Sequence, residues 1–193
     1  ETKPIKGTAA RSDDPQTDAL IIEKLLKSKK DRAENVMIVD LMRNDLGKTC
    51  EIGSVTVPQL FTVESFAKVH HLVSTVHGKL DKDTSASHLL RGCFPGGCIT
   101  GAPKIRAMEI IEELEACRRT IYCGSIGYLG FDGNMDTNIA IRTLLHYSSR
   151  MYCWAGGGIV AEAELAAEYQ ESLDKASAML DVFEHAQAQY LDR

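Results

Sequence analysis

A glycine-rich stretch that runs into a helix constrains the fold of this chain more strongly than any other feature. Residues 95 to 115 read PGGCITGAPKIRAMEIIEELE. Proline costs no hydrogen bond at the first position of a helix, so the pattern predicts a helix that begins at Pro103, capped by Gly101 or Ala102. Apolar residues then recur at helical spacing: Ile105, Met108, Ile110, Ile111 and Leu114.

The glycines before this helix allow a ligand to approach the backbone. Gly96, Gly97 and Gly101 carry no side chain, and the amide end of a helix favours a carboxylate or a phosphate. The stretch has neither the Gly-Lys-Ser/Thr of a Walker loop nor the GxGxxG of a dinucleotide site. From these residues alone, an anion-binding loop and an ordinary connector both stay open.

Composition argues against several classes of partner. The 193 residues carry 22 Lys and Arg against 27 Asp and Glu, a net charge of −5, so the basic footprint of a nucleic-acid-binding protein is missing. No apolar run approaches the length of a membrane span. Six cysteines without a CxxC pair argue against zinc and favour reduced thiols in the cytoplasm. Because the sequence starts at Glu1 without a leader, we expect a piece of a longer polypeptide.

The N-terminal residues predict a short extended segment followed by helices. The residue before proline avoids helical geometry, so KPIKGT (3–8) starts extended, and Gly7 permits a bend beside Lys6. A lysine in such a loop is usually a solvated surface charge. Asp14 and Pro15 predict the start of a helix.

A second helix is predicted to end at Gly47. The apolar run 36–42 suits a strand or a helix, and a glycine in the helix-stop position favours the helix. Asp31 and Glu34 then share a face. Those carboxylates are either an ordinary acidic face, solvated or paired with Arg32, or part of a site.

The centre of the chain predicts strands, then a short helix. The predicted strands cover residues 51–57, 60–63 and 69–80, and the helix covers 83–90. His71 lies on one side of the third strand. A strand histidine is more often a hydrogen-bonded core or rim residue than a site residue, so its role stays open.

A hairpin and a long helix are predicted for the C-terminal part. The hairpin joins strands 122–131 and 136–147 through Asp-Gly-Asn, and a third strand covers 151–160. Arg142 alternates with buried-type residues, which is costly unless it meets an anion. On the helix 163–183, Glu168, Glu171 and Lys175 fall on one flank. With Asp31 and Glu34, two helices would each offer two carboxylates, a reasonable oxygen cage for Mg²⁺.

Seven ordered motifs resemble the catalytic half of the chorismate-utilising enzymes. They are PIKGT (4–8), DRAENVMIVDLMRNDLG (31–47), VHHLVS (69–74), PGGCITGAPKIRAMEII (95–111), CGSIGYLGFDGNMDTNIAIRT (123–143), AGGGIV (155–160) and EYQESLDKA (168–176). The resemblance is strongest to members that aminate chorismate at C4, because these carry PIKGT, whereas anthranilate-forming members have alanine in the position of Lys6. It implies an α+β fold of antiparallel sheets packed with helices, in one chorismate-binding catalytic domain (1–193) whose N-terminal part is missing.

The resemblance also implies roles for individual residues. Lys6 would attack chorismate, and His71 would hydrogen-bond or protonate the leaving hydroxyl. Glu34 and Glu171 would bind Mg²⁺, with Asp31 and Glu168 near the metal or its waters. The substrate contacts would be Arg142, Lys175, Tyr128, the backbone near Gly101 and Gly158, and Cys98, which stands where relatives often have Ser or Thr.

The implied partners are chorismate and a glutamine amidotransferase subunit that supplies ammonia. Isochorismate and salicylate synthases use a lysine at this position to activate water, so those activities and anthranilate synthesis are alternatives. A fragment that only binds its ligand or partner is a third interpretation.

Overall fold

The computed structural model describes residues 1–159 and 163–191, with side chains described as far as Phe183. The chain forms two compact units, Glu1–Ala107 and Met108–Arg193. The elements in chain order are β1 (Ile5–Ala10), α1 (Pro15–Lys27), α2 (Lys29–Gly47), β2 (Thr56–Ser65), β3 (Val69–His77), α3 (Ala86–Cys93), α4 (Gly97–Thr100), α5 (Lys104–Leu114), β4 (Ser125–Leu129), β5 (Met135–Ile139), β6 (Leu144–Tyr147), β7 (Arg150–Cys153) and α6 (Leu165–Leu191).

The first unit is a three-stranded antiparallel sheet in the order β1-β3-β2, with α1 and α2 packed against it. The central strand β3 is covered best, and Leu72, Val73 and Val76 are at most 1% exposed. A cluster of Val39, Leu46, Cys50 and Val76 joins α2 to the sheet. The sheet and α2 therefore form the stable frame of this unit.

Side-chain caps set the helix starts of the first unit. Asp14 accepts a hydrogen bond from the amide of Thr17 at 2.9 Å, and Pro15 follows it, as predicted. Ser28 ends α1 and accepts from the amide of Asp31 at the start of α2. The predicted helix that ends at Gly47 is confirmed.

Asn35 fixes the rotation of α2 on the sheet. Its buried side-chain amide donates to the carbonyl of Leu72 at 3.3 Å and accepts from the hydroxyl of Ser74 at 2.6 Å. Because both partners lie on β3, the two neighbours of Asn35 in the helix face fixed directions, and one of them is Glu34.

The second unit contains most of α5, two separate hairpins and α6. Strands β4 and β5 pair across the predicted Asp132-Gly133-Asn134 turn, and β6 pairs with β7. Helices with antiparallel sheets in both units confirm the predicted α+β class. Whether residues 1–193 act as one catalytic domain stays a prediction.

Several predicted boundaries were wrong. Residues 51–57 and 60–63 do not form two strands; β2 is one strand over Thr56–Ser65 with irregular pairing to β3. The strand predicted over 136–147 is interrupted after Ile139, and Arg142 lies in the break, exposed, with a φ of 50°. Arg142 is therefore not an inward-facing strand residue. The strand predicted to reach Val160 ends at Cys153, and Val160 itself lies outside the described residues.

Within the residues that the structure describes, no helix is long and apolar enough to span a membrane.

Candidate active site

Lys6 and Glu34 meet where β1 passes the first turns of α2. The Lys6 Nζ lies 3.7 Å from Glu34 Oε2, and the two side chains are 24% and 26% exposed. Partial burial reduces the screening that weakens surface pairs. Two residues that the sequence proposed for one site are thus brought together by the fold.

A bulge in β1 sets the direction of the Lys6 side chain. Ile5 pairs with Val73 and Thr8 pairs with His71, so β1 advances three residues while β3 advances two. The extra residue on β1 is the mark of a β-bulge, which bends a strand and redirects its side chains. Gly7 has a φ of +89° within it, so the predicted bend beside Lys6 is a bulge.

Asp31 lies against this bulge. A Cβ built on Gly7 would be 3.0 Å from both Cβ and Cγ of Asp31 and 3.1 Å from Leu25 Cδ1. Only glycine suits this backbone conformation and this space together. The close approach places Asp31 beside the segment that carries Lys6.

His71 lies on β3 and contacts β1, the strand that carries Lys6. Its Nδ1 lies 2.8 Å from the Thr8 hydroxyl, and its ring tilts against Phe66 with 5.4 Å between centroids. Thr8 is two residues from Lys6, so one short piece of β1 carries the proposed nucleophile and the partner of the proposed acid.

The neighbouring His70 forms a hydrogen-bonded chain that the sequence did not reveal. Its Nδ1 lies 2.8 Å from the Ser65 hydroxyl and its Nε2 lies 2.9 Å from Asp18 Oδ1. The backbone amide of Ser12, then His70 and Arg11, stabilise the charged carboxylate and lower the pKa of Asp18 to about 2. This chain ties α1 and β2 to β3. The only sequence signal was the adjacent histidine pair, whose members alternate across a strand.

The glycine-rich loop lies between α3 and α5. Thr100 Oγ1 donates to the Gly96 carbonyl at 3.1 Å, and the Gly101 amide donates to the Gly97 carbonyl at 2.9 Å. Gly101 has a φ of +109°, which favours glycine. The Cys98 side chain is half-buried in this loop.

The helix after the loop begins one residue later than predicted. Its first residue is Lys104, and the Pro103 carbonyl accepts from the Ala107 amide, so proline is the cap rather than the first helical residue. The predicted apolar stripe is largely exposed, with Ile105 at 72% and Leu114 at 74%.

In the second unit, Glu168, Glu171 and Lys175 lie on one flank of α6, as predicted. Lys175 Nζ lies 2.5 Å from Glu171 Oε1 and donates to the Gly156 carbonyl at 3.3 Å. A Cβ on Gly157 would be 2.9 Å from Glu168 Oε2. The close approach to this flank is therefore made at Gly157; a Cβ on the proposed substrate contact Gly158 would meet nothing within 4 Å.

The two remaining proposed substrate contacts belong to the same unit. Tyr128 lies on β4 opposite Asp136 and is 63% exposed. The positive φ of Arg142 is uncommon for a residue with a side chain, and such residues occur often at functional sites. This backbone conformation, rather than a place in a strand, is the structural feature of Arg142.

The carboxylates suit Mg²⁺ in their chemistry, because this ion prefers oxygen ligands and keeps several waters. Asp31 and Glu34 belong to the first unit, Glu168 and Glu171 to the second. Among residues 1–159 and 163–191, no group of three or more His, Cys, Asp or Glu side chains is arranged to hold a metal ion. Glu34 contacts Lys6 within the first unit, and Glu171 contacts Lys175 within the second.

The sequence model of the chorismate binding enzyme family matches residues 1–181, so this chain belongs to the chorismate-binding enzymes. It is similar to aminodeoxychorismate synthase component 1 of Klebsiella aerogenes, with 61% identity over 184 residues, 95% of this chain and 41% of the relative. The protein of the same name from Escherichia coli (strain K12) is 59% identical over 184 residues, with the same two shares of 95% and 41%.

The fold comparison agrees. The crystal structure of anthranilate synthase component I from Streptococcus pneumoniae TIGR4 matches with a TM-score of 0.82 and 42% identity, over 92% of this chain and 39% of that chain. The predicted chorismate-utilising fold is therefore confirmed. The chain spans about two fifths of the length of the curated relatives it matches.

Proposed function

We propose that this chain is the catalytic portion of an aminodeoxychorismate synthase component I. The reaction converts chorismate and ammonia to 4-amino-4-deoxychorismate, a precursor of 4-aminobenzoate and folate. The observation that carries the proposal is the Lys6 amine on the β1 bulge, 3.7 Å from Glu34 and beside Asp31. High identity to relatives named for this activity supports it.

Lys6 is the proposed nucleophile. Its neutral amine forms a bond to C2 of chorismate and loses a proton, both ring double bonds shift, and the C4 hydroxyl leaves as water with a proton from His71. Ammonia then bonds to C4, both double bonds shift back, and the C2–N bond to Lys6 breaks as the lysine nitrogen takes up a proton that the new ammonium group gives up. Covalent catalysis of this kind divides one difficult displacement into two easier steps.

Other residues hold the substrate in this proposal. Arg142 and Lys175 attract its carboxylates, the backbone at Gly101 and Gly158 donates hydrogen bonds, and Tyr128 lines the ring, with Cys98 nearby. The contact of Glu171 with Lys175 holds the ammonium group of that lysine in place.

Mg²⁺ is the proposed metal, held by Glu34 and Glu171 with Asp31 and Glu168 near its waters. When bound, it supplies the positive charge that lets an acidic site accept a dianionic substrate. Lys6 and Lys175, which contact Glu34 and Glu171 in this structure, would then compete with Mg²⁺ for the same carboxylate oxygens.

We propose that a separate glutamine amidotransferase supplies the ammonia in the cytoplasm. The chain carries no cysteine–histidine glutaminase signature. Ammonium salts should therefore support product formation by the protein at its natural full length, whereas glutamine alone should not. Product from glutamine without a second protein would refute this division of labour.

The test of Lys6 is a trapped adduct. Chorismate and Mg²⁺ without ammonia should add mass to the peptide that contains Lys6, and Lys6→Ala should abolish the adduct and most aminodeoxychorismate formation. Lys3→Ala is the matched control, because that lysine pairs with Glu64 on the same sheet at 3.0 Å. Normal turnover by Lys6→Ala with no adduct in the unaltered protein would refute the covalent mechanism.

The same assay separates the second candidate. The structural likeness to an anthranilate synthase component favours a related activity on chorismate as the alternative. Anthranilate as product would identify that activity. Isochorismate formed without use of ammonia would make Lys6 a base that activates water. Binding of chorismate without any turnover would indicate a ligand-binding piece.

A further inference from the structure

The buried ion pair between Asp45 and Lys104 links two elements that are distant in sequence. Lys104 Nζ lies 2.5 Å from Asp45 Oδ2, and the two side chains are 16% and 2% exposed. Asp45 lies on α2 and Lys104 at the start of α5, 59 residues further along the chain. The pair is thus a tertiary link within the first unit.

Neither residue helps its own helix. Asp45 is a carboxylate in the last turn of α2, where the helix dipole favours a positive charge. Lys104 is a cation in the first turn of α5, where the dipole favours a negative charge. Since each helix dipole disfavours the charge at that end, the role of the pair lies in the elements that it joins.

Lys104 also closes the glycine-rich loop. Besides contacting Asp45, its Nζ donates to the Cys93 carbonyl at 2.9 Å, so one ammonium joins the last residue of α3 to the first residue of α5. Residues 94–103, which include Cys98 and Gly101, lie between those two points. The loop is therefore held at both ends by a single group.

The loop also lies against α2 directly. A Cβ on Gly97 would be 2.8 Å from Leu41 Cδ1, one turn before Asp45 on the same helix. The helix that presents Asp31 and Glu34 beside Lys6 thus holds the loop as well, through Leu41 and Asp45.

We propose that Asp45 and Lys104 are positioning residues that hold the 94–103 loop in its substrate-binding conformation. This rests on the proposed function for the contacts of Cys98 and Gly101 with chorismate. Buried ion pairs contribute little net stability compared with an apolar replacement, and their best-attested role is to specify geometry. Loss of the pair should therefore weaken substrate binding more than the chemical step.

The test compares Lys104→Met with Lys48→Met in the protein at its natural full length. Lys48 contacts the other oxygen of Asp45 at 2.9 Å but is half-exposed and has no part in the loop, so it is a matched control. Lys104→Met should raise the KM and the Kd for chorismate about tenfold with kcat nearly unchanged, because uniform binding is lost. Lys48→Met should change them less than about twofold.

A direct measurement of the loop accompanies the kinetics. The Gly101 amide, bonded to the Gly97 carbonyl, should exchange its hydrogen about tenfold faster in Lys104→Met, whereas the Val76 amide in the sheet should not change. Lys104→Arg should restore part of the affinity. If Lys104→Met does not fold, Lys104→Gln, which keeps a donor for Cys93, replaces it.

Equal effects of Lys104→Met and Lys48→Met would overturn the proposal. So would a fall in kcat and melting temperature with unchanged KM, Kd and exchange at Gly101. If the unaltered protein forms no aminodeoxychorismate, the proposed function fails, but the chorismate Kd and the exchange at Gly101 still decide the role of the pair.

Discussion

Gly7→Ala should destabilise the junction of β1 with α2. The φ of +89° costs a residue with a side chain about 1–2 kcal/mol. The new Cβ would also lie 3.0 Å from Asp31 and 3.1 Å from Leu25, and overpacking of this kind costs about 1–3 kcal/mol. Both Asp31 contacts are near its backbone, so the side chain cannot simply swing away. The sum predicts a loss of about 2–5 kcal/mol in local stability.

Gly53→Ala separates the cost of the backbone conformation from the cost of overpacking. Gly53 has a φ of +80°, and a methyl group added there would have nothing within 4 Å, so it carries the conformational cost alone, about 1–2 kcal/mol. Native-state hydrogen exchange of the β3 amides measures the opening free energy near β1 in both variants. The excess for Gly7→Ala is expected to be about 1–3 kcal/mol. If Gly7→Ala costs no more than Gly53→Ala, the close packing on Asp31 does not constrain this position.

Three further perturbations test the frame and the site. Folding lowers the pKa of Asp18 from 3.8 to about 2 beside Ser12 and His70, so the stability that this carboxylate contributes is full above about pH 4 and is lost towards pH 2. Asp18→Asn should therefore weaken the dependence of the free energy of unfolding on pH across that window. Asn35→Ala should cost about 2–4 kcal/mol in urea unfolding, because it leaves buried partners on β3 without a hydrogen bond. Glu34→Gln and Glu171→Gln should each weaken Mg²⁺ binding by about tenfold or more in calorimetry.

Each of these has a control. Asp13 is exposed, so Asp13→Asn should leave the pH dependence of unfolding below pH 4 unchanged. An equal change in that pH dependence in both variants would refute the role of Asp18. A loss below about 1 kcal/mol for Asn35→Ala would show that its two hydrogen bonds are replaced by water. Glu23→Gln lies on α1 and contacts Lys27, so it should not alter Mg²⁺ affinity. Unchanged affinity in both glutamate variants of the site would refute the metal assignment.

Local signals in the sequence determined several elements. Asp14 and Pro15 start α1 because a carboxylate cap and a proline act within one turn of chain. The Asp-Gly-Asn turn between β4 and β5 depends on neighbouring residues in the same way. The motif around Lys6, and the i and i+3 carboxylates of α2, were visible for the same reason. Such features depend on interactions a few residues long.

Boundaries between neighbouring elements were harder to predict. The break between β5 and β6 at Arg142 interrupts an apolar pattern that would suit one long strand, because pairing partners rather than propensity end a strand. The same holds for β2, which continues through Pro58 because β3 supplies its ladder.

The arrangement of the site was decided by tertiary structure. Lys6 meets Glu34 only because an extra residue in β1 turns the strand at Gly7, and that bulge is defined by pairing with β3. His70 and His71 are adjacent in sequence, yet one joins the buried Asp18 chain and the other contacts Thr8. The alternation of a strand separates the two rings, but which face holds Asp18 depends on where α1 packs.

The same limit applies to the link between α2 and α5. The sequence by itself determined that Lys104 lies in the first turn of a helix after a glycine-rich loop and that Asp45 lies near the end of another. Their pairing could not be predicted, because the dipole of each helix disfavours the charge it carries and the two residues are 59 positions apart in the chain. Local interactions chose the elements of this protein, and long-range packing chose which side chains meet.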